Sequence, residues 1–415
     1  MTDRPQVVIV GAGFGGLEVV KALRKAPVDI LVLDRQNHHC FQPLLYQVAT
    51  AALSPADIAW PIRHILRGQT NATVLMSEVR GIDAEKKILR TSTGDVRYDT
   101  LVLATGATHS YFGHEDWAQF APGLKQIEDA TRIRRSVLIA FERAELQHNP
   151  TDLERLLTFI IVGGGATGVE MAGAVAEVAR QTLAMDFRRI DPRSARIVLI
   201  EAGPRLLPAF PQDMSDYVRR SLERMGVEVK LSTMVTKCDA QGVDTQGGRI
   251  DAGTIVWAAG VVASPAAQWL GADHDRAGRI KVNDDLTVPG HPDVFAIGDT
   301  ATLSGQQVPG IAPAAKQMGR YVGRLIAARI AGQSAPKPFR YHHLGDLATI
   351  GRRSAVVRLG RFELRGFLGW LFWSVVHIYF LIGLRNRFLV AFTWLWDYLT
   401  FQRGARLITN APRDL

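Results

Sequence analysis

One pattern occurs twice in this chain, and it is a pattern that binds phosphate. In the first copy Gln6-Val-Val-Ile-Val10 reads as a buried parallel strand, Gly11-Ala12-Gly13-Phe14-Gly15-Gly16 as a tight turn, and Leu17 to Arg24 as a helix. In the second, Phe159 to Val162 precedes Gly163-Gly164-Gly165-Ala166-Thr167-Gly168, with a helix expected from Val169 through Ala184. That order is what the chemistry needs. The first glycine allows the turn, the second lets backbone approach a pyrophosphate, and the third lets helix pack on strand, while free N–H groups and the helix dipole hold the negative charge. The strand from Asp29 ends at Asp34, eighteen residues after Gly16, where a carboxylate can accept from a ribose hydroxyl. The strand Arg196 to Ile200 ends at Glu201, 33 residues after Gly168, a delay that a longer helix and a loop around Asp191-Pro192 would account for.

Each copy also closes alike, with Thr100 to Thr105-Gly106 in the first and Thr254 to Ala259-Gly260 in the second. From first to closing glycine the distances are 95 and 97 residues. A lone glycine fingerprint is weak evidence, but two in strand–turn–helix context, each with its acid, imply two dinucleotides. FAD and a nicotinamide nucleotide are the natural pair. At 415 residues there is room for two to three domains. The fold class expected is α/β, with two Rossmann-like dinucleotide-binding domains and a C-terminal helical segment at a membrane surface.

Cys40 and Cys238 lie far apart with no CxxC, so neither a zinc site nor a disulfide framework is expected, and no metal is assigned. The chain runs from Met1 almost directly into the apolar run Val7 to Val10, which leaves no room for a signal peptide, and the bulk is expected in the cytoplasm. Net charge is +9, and its location is informative. From Arg340 to Leu415 eleven arginines face four carboxylates, so this tail holds +7 of it.

Asp293-Val-Phe-Ala-Ile-Gly-Asp299-Thr300 is a short apolar strand ending in Gly-Asp. Here the sequence resembles the two-dinucleotide flavoprotein reductases, in which the matching aspartate binds the flavin's ribityl chain. The resemblance implies a split layout: an FAD domain at 1–110 and 275–335, an NADH domain inserted at 111–274, and a membrane-anchoring segment at 336–415. The disulfide reductases of that superfamily carry CxxxxC after the first ribose acid; this chain has Cys40 alone, which argues against dithiol chemistry. The run Phe41-Gln-Pro-Leu-Leu-Tyr-Gln-Val-Ala49 instead resembles the type II NADH dehydrogenases, single-subunit, non-proton-pumping NADH:quinone oxidoreductases of the respiratory chain.

That resemblance implies non-covalent FAD held by Gly11, Ala12, Gly13, Phe14, Gly15, Gly16, Asp34, Arg35, Gln42, Val79, Thr105, Gly106, Asp299 and Ala315. It implies NADH held by Gly163, Gly165, Gly168, Glu201, Ala259 and Gly260. Glu201 favours NADH because a carboxylate repels the 2′-phosphate of NADP, an effect that Arg205 could soften. The family's quinone motif Ala-Gln-x-Ala-x-Gln matches Ala312-Pro-Ala-Ala315-Lys316-Gln317, except that Pro313 replaces the first glutamine. Lys316 and Gln317 are therefore the residues expected at the quinone. Pro313 is equally a good first residue for a helix running to Ala331, whose positive end would face the flavin. Glu170 is carried over as the catalytic carboxylate, its plainer reading being a helix-dipole partner in the first turn.

From Gly366 to Leu384 runs GFLGWLFWSVVHIYFLIGL, followed by Arg385, Arg387, a second apolar run with Trp394, Trp396 and Tyr398 ending at Phe401, then Arg403 and Arg406. Aromatics spread along both runs and flanked by arginine suit helices lying in the interface on anionic lipid. A single span and a buried core or dimer helix stay open, and so does a homodimer. His377 reads as a satisfied core histidine. No nucleic-acid motif accompanies the basic tail. The expected location is the cytoplasmic face of the inner membrane, peripheral. Two competing readings are a soluble NADH-dependent reductase of a small electron-transfer protein and a flavin-bound NADH sensor.

Overall fold

The computed structural model describes residues 4–400 and 404–409, without the side chains of residues 398 and 399. Tyr398's side chain, Phe401 and Arg403, counted above among the tail's aromatics and arginines, lie outside what it describes. The chain forms two compact units. The first comprises Met1–Cys40, Ala59–Thr108 and Val261–Leu344; the second comprises Phe41–Ile58, His109–Gly260 and Gly345–Leu415. These boundaries differ from the three-part division expected above. Residues 41–58 and the chain from Gly345 group with the second nucleotide module, where the helix Leu45–Ala49 packs against Ile127–Leu146, while 336–344 stay with the first unit.

The first unit holds a six-stranded sheet in the order 287–288, 291–296, 100–103, 6–10, 29–34, 72–76. All neighbours are parallel except the terminal hairpin. Val7 to Val10 and Ile30 to Leu33 are buried without alternation, as strands covered on both faces must be. The helix Phe14–Ala22 begins inside the glycine turn, three residues earlier than the sequence reading placed it. The glycines explain this: a Cβ on Gly16 would stand 1.9 Å from the Gly11 carbonyl oxygen, so helix and strand touch backbone to backbone.

The second unit repeats the arrangement in four parallel strands, ordered 227–230, 196–200, 158–162, 254–257. Gly163 N–H donates to Ile200 O at 2.7 Å, as Gly11 N–H donates to Leu33 O at 2.8 Å. The helix here is Ala166–Glu177, continued by a π-helical turn at Val178–Thr182, where the sequence suggested one α-helix to Ala184.

After residue 345 the second unit contains an element the sequence reading did not anticipate. Asp346–Gly351, Ser354–Leu359 and Phe362–Arg365 form an antiparallel three-stranded sheet, and only then come the helices Gly366–Phe380 and Leu384–Thr400, separated at Gly383. No helix among the described residues is long and apolar enough to cross a membrane. The sheet docks on the helix Ala166–Glu177 through Gly173, where a Cβ would lie 1.7 Å from the Ile350 carbonyl oxygen. Two further ties fix it: Tyr217 Oη meets Ser354 Oγ at 3.0 Å, and Arg365 pairs with Asp213.

Gly173→Ala should therefore push strand from helix and destabilise the protein by about 2 kcal/mol or more. Thermal unfolding of the FAD-loaded protein reads this, and an unchanged midpoint would refute the close packing.

Candidate functional site

The two glycine turns present the same chemistry. In the first unit Asp34 Oδ2 accepts from Ala12 N at 2.7 Å and Oδ1 from Gln36 N at 2.8 Å. Burial pushes this carboxyl above its usual range, against the pull of those two N–H donors. In the second unit Glu201 Oε2 accepts from Gly164 N at 2.5 Å and Oε1 from Gly203 N at 2.6 Å. Each acid thus sits at the tip of its second strand and steadies the turn a pyrophosphate would rest on. At Gly13 and Gly165 a Cβ would meet nothing within 4 Å, so both turns present open backbone. A nucleotide diphosphate fits both cradles.

Around the first cradle, Phe14 opens the helix, Gly15 packs against Ala315 O, and Thr105 Oγ1 lies 3.1 Å from Thr300 Oγ1, which accepts from Gly106 N at 2.9 Å. Asp299 faces Gly310, where an added Cβ would come within 3.3 Å of Oδ1. Arg35 is exposed, and Val79 is buried at the start of its strand. His39, which the sequence reading passed over, holds the turn from behind: Nδ1 meets Ala12 O at 2.9 Å, and burial drives its pKa down to about 4. It is neutral and donates from Nδ1.

The helix Ala312–Ile330 starts with Pro313 in its first turn, as the sequence suggested. It lies beside Phe14–Ala22, with Arg320 Nε 2.6 Å from Glu18 Oε2. Lys316 Nζ stands 5.4 Å over the Phe14 ring. Gln317, expected to donate to a quinone carbonyl, is otherwise engaged. Its Nε2 donates to His342 O at 2.8 Å and its Oε1 accepts from His342 N at 3.0 Å, so both ends of the amide clamp one backbone unit.

In the second unit Ala259 and Gly260 follow the closing strand, and Gly168 lets its helix touch the Gly163 carbonyl. Arg205 bonds Pro208 O at 2.8 Å, so its charge is directed to the following loop. Gln42 falls in this unit, with Nε2 3.3 Å from Lys125 O.

Glu170 lines a cavity within the second unit that opens to solvent. Its walls come from three distant stretches: Tyr46 and Gln47, the helix bearing Glu170 with Gln181 on the π-helical turn, and Thr349, Trp370 and Trp394 of the tail. Among the described residues Glu170 accepts a single, long hydrogen bond, from Thr349 N at 3.5 Å. Burial without a strong donor pushes its pKa up to about 8, so the carboxyl is neutral near pH 7. Trp394 Nε1 donates to Gln47 Oε1 at 2.7 Å, and Gln47 Nε2 donates to Tyr46 Oη at 2.8 Å. Trp373 is 1% exposed and stacks on His377 at 4.0 Å, and burial pushes His377 down to about 4. Its Nδ1 donates to Trp373 O at 2.7 Å, the satisfied core histidine expected above.

Three of the tail's tryptophans, Trp370, Trp373 and Trp394, therefore line this cavity, where the sequence reading favoured lipid headgroups. Tyr46, Gln47, Thr349 and Trp394 were missed as site residues. The signal for the first two was present, since both lie inside the Phe41 to Ala49 run; nothing in the sequence shows that Trp394 reaches Gln47, 347 positions away.

Two nucleotide cradles on parallel sheets, each with its acid and glycine turn, define a pyridine-nucleotide flavoprotein, and residues 5–319 match the family model described as Pyridine nucleotide-disulphide oxidoreductase. Residues 343–403 match the NDH2 C-terminal domain. Type II NADH:quinone oxidoreductase NdhA of Mycobacterium tuberculosis is 44% identical over 98% of this chain and 90% of its own length. A second protein of that organism, Type II NADH:quinone oxidoreductase Ndh, is 43% identical over 98% and 91%. The chain belongs to the type II NADH:quinone oxidoreductases. Its fold is shared by NDH2 from Plasmodium falciparum, solved in complex with NADH, at a TM-score of 0.89 and 21% identity, covering 98% of this chain and all of that one.

A carboxyl whose folded pKa stands above its unfolded value binds more protons folded than unfolded between the two values, about 4.5 and about 8. Stability is therefore full below the lower value and falls as pH rises through the window, by at most about 1.4 kcal/mol per pH unit. Glu170→Gln should flatten that decline and leave the protein more stable than wild type at pH 8. Equal slopes between pH 5 and 8, measured by denaturant melts of the FAD-loaded proteins, would contradict a neutral Glu170.

Proposed function

We propose that the chain carries out the reaction its family is named for, two-electron transfer from NADH to a quinone with FAD as the bound carrier, and that the cavity at Glu170 receives the quinone headgroup. The observation that carries the second part is the pairing of Trp370 and Trp394 as apolar walls with a neutral, enclosed carboxyl. A planar headgroup needs flat apolar walls and a few polar groups for its carbonyls. Quinol formation consumes two protons, and a carboxyl with a pKa near 8 can give one at neutral pH.

In this reading FAD supplies the redox chemistry when bound. The chain's own residues do the rest. Gly11 to Gly16 and Asp34 hold the FAD pyrophosphate and adenosine ribose, with Thr105, Gly106, Asp299 and Ala315 along the remainder. Arg35 and Val79 complete the FAD contacts within the first unit, and Gln42, in the second, is left out of them. Gly163 to Gly168, Glu201, Ala259 and Gly260 hold NADH, and Glu201 disfavours a 2′-phosphate by charge. Glu170 holds a transferable proton. Lys316, which stands over the Phe14 ring in the first unit, does not line this cavity, and Gln317 is assigned to anchoring the chain at His342.

Trp394→Phe removes the donor that fixes Gln47 and keeps the ring. It should lower kcat with a short-chain quinone about tenfold while leaving NADH-to-ferricyanide turnover within twofold. Equal losses with both acceptors would move the quinone out of this cavity.

The tail's outer face suits a membrane surface. Leu371, Val375 and Tyr379 recur every fourth residue on one helix, and Phe388 and Phe392 on the next, with Phe388 75% exposed. The opposite face holds Trp373 and Val390, both fully enclosed, and Asn386, whose Nδ2 donates to Ala56 O and Asp57 O. Exposed apolar stripes beside Arg385 and Arg387 fit anionic lipid at the cytoplasmic face. Phe388→Glu with Phe392→Glu should abolish co-sedimentation with anionic vesicles and spare ferricyanide reduction. Retained sedimentation with conversion of a dimer to a monomer would assign the face to a second copy instead.

A further inference from the structure

Tyr111, Phe112, Gly113 and His114 make a tight turn in the second unit, closed by His114 N–H donating to Tyr111 O at 3.1 Å. Both central residues stand at positive φ, 55° for Phe112 and 92° for Gly113. That pairing belongs to type I′ turns, whose first central position normally goes to asparagine, aspartate or glycine. A phenylalanine there is strained, because its Cβ crowds the backbone in the left-handed region.

The ring is also poorly buried: Phe112 is 68% exposed. The residues around it are different. Tyr111 is buried and stacks on Trp257 with ring centres 5.2 Å apart, and its Oη donates to Ala121 O at 2.8 Å. Ser110 O accepts from Trp257 Nε1 at 2.9 Å, and Ser110 Oγ accepts from Phe112 N at 3.3 Å. The base of the turn is thus pinned, and what it holds out is one bare aromatic ring. Neither packing nor local preference accounts for that residue at that position.

The ring leans over the closing glycine of the nucleotide cradle. A Cβ on Gly260 would stand 2.5 Å from Phe112 Cζ, so the tip of the ring rests on the Gly260 α-carbon. The order of the strands says which half of a dinucleotide belongs there. In 227–230, 196–200, 158–162, 254–257 the glycine turn follows 158–162, and Glu201 ends the neighbour on one side. Gly260 follows the neighbour on the other side. With the pyrophosphate on the turn and the adenosine ribose at Glu201, the nicotinamide riboside falls towards Gly260 and Phe112.

We propose that Phe112 is a further NADH-binding residue, whose exposed ring packs against the nicotinamide riboside and leaves the adenosine half untouched. The inference rests on the second cradle holding NADH. The strain then belongs to the site: the turn keeps a flat apolar ring in the open, ready to be covered by the ligand without rearrangement.

The test uses the FAD-loaded, oxidised protein, titrated calorimetrically with NAD+ and with ADP-ribose, which has the adenosine and the pyrophosphate but no nicotinamide. Phe112→Asn, which removes the ring and suits the turn, is expected to weaken NAD+ about tenfold and to leave ADP-ribose within about twofold. Its thermal midpoint is expected at or above that of wild type, because asparagine tolerates the left-handed region, where loss of a packing ring would lower it. Phe112→Tyr is expected to bind NAD+ as wild type does. NAD+ affinity unchanged in Phe112→Asn, or both ligands weakened alike, overturns the inference. Should Phe112→Asn fail to retain FAD, Phe112→Leu decides by the same comparison of the two ligands. Wild-type protein that binds neither ligand overturns the cradle reading and the inference with it, whereas intact binding of both with no effect at Phe112 overturns the inference alone.

Discussion

Backbone lies against backbone at the two glycine turns, and both nucleotide cradles depend on it. Where the Gly16 and Gly168 α-carbons meet the carbonyls of Gly11 and Gly163, less than 2 Å remains for a Cβ. That contact sets the helix directly above its strand, so that the first free N–H groups point into the turn and not into neighbouring side chains. Asp34 and Glu201 then find the N–H of Ala12 and Gly164 at matching positions. Two sheets of different width reach the same local geometry because the constraint is local.

The Glu170 cavity is governed by another such approach. Gly173 lies one turn beyond Glu170, and its missing side chain lets the strand Asp346–Gly351 settle on the helix. Thr349 thereby comes to Glu170, and the helices that follow the sheet bring Trp370 and Trp394 to the same space. The raised pKa of Glu170 is a consequence of that enclosure: with one long hydrogen bond and no cation among the causes of its shift, the charged form is what burial penalises. Electrostatics here follow from packing, and packing follows from a glycine.

Much of this was legible beforehand, and unevenly. The strands Gln6–Val10 and Arg196–Ile200 announce themselves as unbroken apolar runs, and the acids that end the second strands can be found by counting. The helix beginning at Ala312 is marked by Pro313. The antiparallel sheet after residue 345 was not seen, because its strands DLATIG, SAVVRL and FELR neither alternate cleanly nor form unbroken apolar runs. Gln317 looked like a ligand because its motif matched, but its amide is spent on His342, a partner 25 positions away.

What the sequence determined by itself is what acts over a few residues: the turns, the strands that feed them, the carboxylates at fixed offsets, and an excess of arginine and aromatic residues near the end. Which tryptophans are exposed and which are enclosed, and whether a glutamate is charged, were decided only by the tertiary structure. Those properties depend on what stands within about 4 Å of a group once distant segments have packed, and desolvation and pairing act at that range.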